Sequence, residues 1–344
     1  MRKGTIEMWS ILLVVTTLLF QLRVEATSLP PFQNGNVLPL VQAKEILVMG
    51  KKSGQWILNA QGVVPAAGRS FIVSDKLDYK LKRFDRSGRI IAQAGKRGNG
   101  PGEFRAPGPI ASYQDKLIVA DFASPRVQVF TQGLEYRSMF YAPGPVVDMS
   151  TDNGGNIWIG ALTGSARQFL YKVDPGGEVK QKIQLRSMAD NEFDQLLSFC
   201  IDRAGEIIVA YAYRNEVEIY DQDGNLKKEF EVPGIPLRPK KKVVSRGLFS
   251  KGIEIPEDCV LRSVAVDSQH RIFVLADEYT TNPGRDVYAL DNQGKLLFIV
   301  TLSDRSSRIE FGPGDELYSI EQNRTAVKVY ELRTEHKKNI HKGG

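Results

Sequence analysis

Short runs of β-branched and aromatic residues, separated by turn residues, recur along most of this chain. Each unit has a turn residue, a short β-rich run, a loop, a second run that ends in an aromatic or aliphatic residue, and a glycine turn. Residues 115–133 and 205–224 are two such units. Runs this short and this rich in valine, isoleucine and aromatic residues favour strands over helices. The pattern therefore predicts an all-β protein built from repeats.

The spacing of these runs is regular enough to predict an architecture. The offset is nine residues in four units, Asp75 to Phe84, Asp121 to Phe130, Tyr211 to Tyr220 and Glu321 to Tyr330. It is longer in the other two, Ala161 to Val173 and Ala276 to Leu290. Repeats of roughly 40–50 residues with several short strands are typical of β-propeller blades. Six units predict a six-bladed β-propeller, with a β-sandwich of coincidental spacing as the alternative.

The two ends of the repeat region predict how the ring closes. The last unit ends at Leu332 and lacks a fourth strand, whereas an unassigned β-rich run, Glu45–Met49, precedes the first unit. Pairing of this run with residues 327–331 would remove an exposed sheet edge. We therefore predict a propeller over residues 44–332, closed by an N-terminal strand that completes the last blade.

The remaining segments are assigned from their composition. Residues 1–26 combine Arg2 and Lys3 with the apolar run Met8–Phe20 and a small-residue exit, which is typical of a cleavable secretory signal. The apolar run is shorter than the ~20 residues that span a bilayer, so no stable membrane span is expected. We expect a lead-in at residues 27–43, an interblade insertion at 233–260 and a flexible basic tail at 333–344. The signal predicts a secreted or periplasmic location, in a bacterium.

Residues 95–104, followed by Pro107, and the run that ends at Phe130 carry a resemblance to a known family. With them, the chain resembles the six-bladed NHL-like propellers of secreted bacterial proteins over roughly residues 44–332. The resemblance implies the fold. It leaves the function open, because propellers include binding modules, lactonases, lyases and scaffolds.

The candidate binding residues lie at the N-terminal ends of the predicted inner strands, where ligands meet a propeller channel. Alignment of the units places Gln61, Pro107, Val147, Leu197, Arg262 and Ser307 at one level. Charged residues at or beside this level are Arg105, Asp148, Asp194, Arg262, Asp304, Arg305 and Arg308. Guanidinium groups pair bidentately with carboxylates and phosphates, so one interpretation is a site for an anionic or carbohydrate-like ligand. The alternative is that these charges bridge neighbouring blades.

Composition argues against the metal chemistries of related propellers. Gluconolactonase-like propellers hold calcium with oxygen ligands, whereas Asp148 is the one acid in the two innermost levels here. Amidating-lyase-like propellers use histidine-bound zinc, but His270 lies in a turn, and His336 and His341 lie in the tail. We therefore predict no catalytic residues, no metal and no cofactor. A lactonase- or lyase-like enzyme with ligands from Asp148, Asp194 and Asp304 is the alternative.

The basic residues of the insertion are a second candidate site. Arg238, Lys240, Lys241 and Lys242 could dock an acidic protein or polysaccharide, or could belong to a solvated loop. The net charge of +6 is too mild to indicate nucleic-acid binding. Cys200 and Cys259 are offset along their strands, which favours free thiols over a disulfide. The sequence predicts a monomeric binding module for an extracytoplasmic protein, peptide or polysaccharide.

Overall fold

A computed structural model describes residues 38–50, 55–122, 124–162, 167–188, 196–244 and 253–334. The signal segment at 1–26, most of the lead-in and the tail beyond residue 334 lie outside these residues, so those assignments stay predictions. Among the residues that the structure describes, no helix is long and apolar enough to cross a membrane.

The described residues form six four-stranded antiparallel sheets, which are the blades, and one two-stranded sheet. The strand β1 is Val41–Gly50. Blade 1 contains β2 (Ala60–Ala66), β3 (Ser70–Asp75), β4 (Lys80–Phe84) and β5 (Ile90–Ala94). Blade 2 contains β6 (Pro107–Tyr113), β7 (Lys116–Asp121), β8 (Arg126–Thr131) and β9 (Tyr136–Tyr141). Blade 3 contains β10 (Val146–Thr151), β11 (Ile157–Ala161), β12 (Arg167–Val173) and β13 (Val179–Met188).

The chain continues through three further blades and the small sheet. Blade 4 contains β14 (Leu197–Ile201), β15 (Ile207–Tyr211), β16 (Val217–Tyr220) and β17 (Leu226–Phe230). The two-stranded sheet is β18 (Lys241–Val244) and β19 (Ile253–Pro256). Blade 5 contains β20 (Leu261–Val266), β21 (Ile272–Ala276), β22 (Asp286–Leu290) and β23 (Leu296–Thr301). Blade 6 contains β24 (Ser306–Phe311), β25 (Leu317–Glu321), β26 (Ala326–Thr334) and the strand β1.

Burial along the strands follows from their place in a blade. The second strands β3, β15 and β21 are buried at every position, as strands covered on both faces are. The outermost strand of blade 1, β5, is only partly buried and alternates with exposed positions. The predicted offset from Asp75 to Phe84 joins the last residues of β3 and β4. The repeat pattern in the sequence therefore marked the ends of real strands.

The core lies between the blades rather than in one central cluster. Six clusters of buried apolar residues each join two neighbouring blades. One cluster packs Val73 of blade 1 against Ile320 of blade 6, so the series of blades closes on itself. The inner strands β2, β6, β10, β14, β20 and β24 also contact one another in ring order. The predicted six-bladed β-propeller is confirmed.

The N-terminal strand completes the last blade, as predicted. The strand β1 pairs antiparallel with β26 and places Leu47 opposite Val329 and Met49 opposite Val327. The pairing extends from Val41 to Gly50, beyond the run recognised in the sequence. Met49 is fully buried in the cluster between blades 6 and 1. The ring is therefore closed by side-chain packing as well as by backbone hydrogen bonds.

The insertion after blade 4 contains more regular structure than its prolines and lysines indicated. The strands β18 and β19 form an antiparallel ribbon with Lys241 opposite Pro256. The segment that leads to it is held by Asn215, which is fully buried. The Asn215 side-chain amide donates to the carbonyls of Val232 and Ile235, and its oxygen accepts from the Val232 amide. This part of the insertion is packed against blade 4.

Candidate functional site: the channel mouth

A β-bulge lies near the N-terminal end of five of the six inner strands, which are all within the described residues. In each case the pairing register with the second strand shifts by one residue. The residues at these shifts are Gln61, Gly108 with Pro109, Val147, Arg262 and Ser307. A bulge leaves a residue outside the ladder and turns its side chain in a new direction. In β14 of blade 4 the register is continuous.

The bulges aim these side chains into one cavity. It has a volume of about 420 Å³, and its wall includes Gln61, Pro109, Val147, Arg262 and Ser307 from the bulges and Leu197 from blade 4. The alignment of the repeats had placed these positions at one level in every blade but the second. There the structure has Pro109 in the wall instead of Pro107, because the shift between Pro107 and Ile110 displaces the strand.

An ion pair crosses the channel at this cavity. Arg308 Nη2 of blade 6 lies 2.8 Å from Asp148 Oδ1 of blade 3. The other carboxylate oxygen of Asp148 accepts the backbone amide of Phe199, at 3.0 Å. Burial lowers the pKa of Arg308, but the Asp148 and Glu310 carboxylates outweigh it and the pKa is raised, so Arg308 stays charged. Blades 3 and 6 lie opposite each other in a ring of six, so the pair spans the channel.

Glu310 lies deeper in the channel, two residues beyond Arg308 on β24. About a third of its side chain, 34%, is accessible to solvent, and Arg308 Nη2 lies 3.8 Å away. Enclosure by the surrounding blades raises the pKa of Glu310 to about 7, although Arg308 opposes the shift. The channel below the mouth therefore holds a carboxyl group that titrates near neutral pH.

Arg262 is paired at the side of the mouth. Its Nη2 lies 2.5 Å from Asp277 Oδ2, and the Asp277 side chain is almost completely buried. Burial lowers the pKa of Arg262, but Asp277 reverses the effect and the pKa is raised. Arg262 therefore contributes to the cavity wall a guanidinium group, and the charge of this group is balanced within blade 5.

Two further cations line the cavity and have no carboxylate partner among the described residues. Arg324 donates to the Ala60 carbonyl at 3.1 Å, and Lys76 Nζ lies 5.0 Å from the centre of the Phe122 ring. Burial lowers the pKa of Arg324, and the positive charges of Arg308 and Arg262 lower it further. The potential at the mouth is therefore positive.

Neither of these two cations was a candidate in the sequence. Lys76 and Arg324 lie between the second and third strands of blades 1 and 6. In an up-and-down blade this connection returns to the end of the ring where the inner strand begins. A search of these connections for cations, in addition to the inner strands, would have found both residues.

The other predicted mouth residues lie elsewhere. Arg105 is exposed and its Nε donates to Asn99 Oδ1 at 2.6 Å. Arg305 pairs with Glu278 and lies 3.7 Å from Asp277, so it bridges blades 5 and 6, as the alternative interpretation expected. Asp304 pairs with Lys328 in a separate depression. Asp194 lies outside the described residues. Among the predicted residues, the structure brings together Arg262, Arg308 and Asp148.

Residues that metal or thiol chemistry would need lie apart from one another. His270 Nδ1 lies 2.7 Å from Asp202 Oδ2, in turns at the opposite end of the blades. No group of three or more His, Cys, Asp and Glu side chains that could hold a metal occurs in the part of the chain that the structure describes. Cys200 and Cys259 are both free thiols. His336 and His341 lie outside the described residues.

The basic residues of the insertion lie in the connection between blades 4 and 5. Arg238, Lys240, Lys241 and Lys242 are all exposed. The Lys240 amide donates to the Tyr279 hydroxyl at 2.9 Å, and Tyr279 belongs to the connection between the second and third strands of blade 5. The connection from one blade to the next and the connection between the second and third strands of a blade both lie at the mouth end. These cations therefore lie at the same end of the ring as Arg324 and Lys76.

The fold and the mouth define a six-bladed β-propeller with a cationic central cavity. Solved propellers are similar to it in structure. Virginiamycin B lyase from Staphylococcus aureus has a TM-score of 0.54 and 9% identity, with 80% of each chain covered. A streptogramin B lyase has a TM-score of 0.52 and 9% identity, covering 86% of this chain and 98% of that one. The WD40 repeats of RRP9 have a TM-score of 0.55 and 14% identity, covering 86% of this chain and all of that one.

These similarities concern the fold alone, because the sequence identities are so low. No protein-family model matches the chain, and no curated protein matches it in sequence. The neighbours include both lyases and a repeat domain, so they support a propeller without selecting between a binding module and an enzyme.

Proposed function

We propose that this protein is a non-catalytic binding module that accepts an anionic group of its ligand at the channel mouth. The observation that carries the proposal is the pair of cations, Arg324 and Lys76, that line the cavity without a carboxylate partner among the described residues. A carboxylate or a phosphate placed between them would form charge-assisted hydrogen bonds in a partly desolvated site. Asn59 and Gln61 add polar groups to the same wall.

The proposal extends to where the module works and what it meets. The signal-like segment at residues 1–26 supports a secreted or periplasmic location. Ligands of the expected classes are an extracytoplasmic protein, peptide or polysaccharide. The exposed cations Arg238, Lys240, Lys241 and Lys242 would steer an acidic ligand towards the same end of the ring.

Titration with small anions tests the site directly. Isothermal calorimetry with sodium sulfate and sodium acetate should give saturable binding in the millimolar range at low ionic strength. Arg324→Gln combined with Lys76→Gln should weaken this binding at least tenfold, because it removes the unbalanced charge. Arg137→Gln with Lys227→Gln removes two exposed cations on the outermost strands of blades 2 and 4 and is the matched control, with binding unchanged. Equal weakening in both double variants would show general charge screening and would contradict the proposal.

A lyase- or lactonase-like enzyme is the second candidate, favoured by the similarity in fold to two lyases. Its predicted ligand set is divided, because Asp148 pairs with Arg308 in the channel and Asp304 pairs with Lys328 outside it. Elemental analysis of the purified protein distinguishes the candidates. Stoichiometric Ca²⁺ or Zn²⁺ that survives dialysis would favour the enzyme.

A further inference from the structure

The cavity at the mouth is shallow because the channel is crossed directly below it. The Arg308–Asp148 pair spans from blade 6 to blade 3, and both residues form part of the cavity wall. Asp148 is also fixed by the Phe199 amide, and its side chain is 1% exposed. A polymer cannot thread past this pair without breaking it. A long ligand can therefore place an end or a side chain in the cavity, but it cannot pass through the channel.

Exposed apolar side chains border the cavity on the side of blades 1 and 2. We name Leu58, Leu77 and Phe122 the apolar rim; their exposed fractions are 45%, 57% and 41%. Phe122 lines the cavity itself and contacts Lys76.

Leu58 and Leu77 are sequence neighbours of two cavity residues in blade 1. Ala60 pairs with Asp75, and the Lys76 amide donates to the Asn59 carbonyl at 2.8 Å. Leu58 directly precedes Asn59 in the sequence, and Leu77 directly follows Lys76. Asn59 and Lys76 are cavity residues, so the two leucines directly adjoin the cavity. Exposed apolar side chains beside a polar cavity are a feature of interaction sites.

We infer that the ligand is the C-terminal segment of a polypeptide, with its free α-carboxylate between Arg324 and Lys76 and its last apolar side chains on the apolar rim. The inference rests on the proposed anion site and identifies what occupies it. The α-carboxylate is the anion found at the end of a polypeptide, which matches a cavity closed at its floor. Apolar side chains next to that carboxylate match the rim, whereas an acidic polysaccharide carries none.

A peptide library tests the inference on the purified full chain. Hexapeptides with three N-terminal glycines and three randomised C-terminal positions are presented either with a free carboxylate or with a terminal amide. We expect enrichment from the free-acid library alone, with leucine, isoleucine, valine or phenylalanine in the last positions. Amidation of an enriched peptide should weaken binding more than tenfold by fluorescence anisotropy.

Variants then separate the carboxylate contact from the rim. Arg324→Gln should weaken an enriched peptide more than tenfold, and Leu58→Ser with Leu77→Ser about fivefold. Ile91→Ser is the matched control, because Ile91 is 54% exposed on the outermost strand of the same blade; it should bind normally. Thermal unfolding of each variant verifies that the fold is kept.

Several outcomes would overturn the inference. These are equal enrichment from the two libraries, no enrichment from either, equal weakening by Ile91→Ser, and tighter binding of trigalacturonate than of any peptide. A sulfate titration on the same protein separates this inference from the proposed function. Sulfate binding without peptide binding refutes only the peptide, whereas loss of both refutes the anion site itself.

Discussion

The arginines at the mouth differ in how their charges are balanced, and this difference decides what each can do. Arg262 is paired with Asp277, and Arg308 is paired with Asp148. Removing either carboxylate would leave a poorly solvated guanidinium group without its partner, which typically lowers the free energy of unfolding by about 3–5 kcal/mol. These two arginines therefore hold the wall and the floor in place. Arg324 has no such partner among the described residues, and it is the one whose charge is available to a ligand.

The carboxyl group of Glu310 makes stability depend on pH. Enclosure raises its pKa from 4.5 to about 7, against the effect of Arg308. The folded protein then binds this proton more tightly than the unfolded chain does. The contribution of Glu310 to stability is therefore fully present below pH 4.5 and is lost as the pH rises through 7.

Glu310→Gln should remove this dependence. At pH 8 we expect the variant to unfold at a higher urea concentration than the wild type, because its free energy of unfolding is larger by on the order of 1 kcal/mol after allowance for solvent in the channel. At pH 4 the two proteins should unfold at nearly the same urea concentration. Glu135→Gln changes a carboxylate that is 71% exposed on blade 2 and should have no effect at either pH. A lower stability of Glu310→Gln at pH 8 would contradict the assignment.

At the scale of elements, the bulges convert a repeat of strands into a binding cavity. A regular ladder would alternate the side chains of each inner strand between the two neighbouring blades. The register shift near the start of five inner strands releases one position per blade from this alternation. Arg262 reaches the mouth in this way, although both its neighbours Leu261 and Ser263 are buried.

The closing strand can be tested through its two faces. Met49 is fully buried against blades 6 and 1, and Ile46 on the same strand is 48% exposed. Met49→Ala should lower the free energy of unfolding by about 2–5 kcal/mol, because it removes buried surface and leaves a cavity. Ile46→Ala should change it by less than about 0.5 kcal/mol. Urea denaturation measures both, and equal effects would mean that the strand is not packed as described.

The elements that the sequence predicted are those with a strong local signal. The strand around Leu47 was predicted because an incomplete last blade needs a partner, and β1 supplies it. The ribbon of β18 and β19 was not, since prolines and lysines at 233–260 obscure the alternation of a strand. The bulge that brings Pro109 into the cavity wall, where the sequence alignment had predicted Pro107, cannot be recognised from the spacing of the repeats, because it depends on how two strands pair. Arg324 was missed because its place at the cavity follows from the tertiary structure and not from any sequence motif.

At the scale of the whole molecule, a pairing of distant parts of the chain closes the ring. The strands β1 and β26 lie near the two ends of the described residues, so their contact is the one of greatest sequence separation. Cross-linking residues far apart in sequence restricts the unfolded chain more than cross-linking close ones. A disulfide across the closure should therefore stabilise the protein more than one within a blade.

Two designed disulfides compare these cases. Lys44→Cys with Glu331→Cys joins residues that face each other across the closure, and Lys116→Cys with Thr131→Cys joins facing residues within blade 2. Loop entropy predicts about 6 kcal/mol of stabilisation for the first disulfide and about 3 kcal/mol for the second, which closes a loop of ~15 residues. Guanidinium denaturation with and without reductant, in a Cys259→Ser background, measures how much each disulfide raises the free energy of unfolding. Equal gains would contradict the loop-entropy argument and would mean that residues 44 and 331 are already held close together in the unfolded chain.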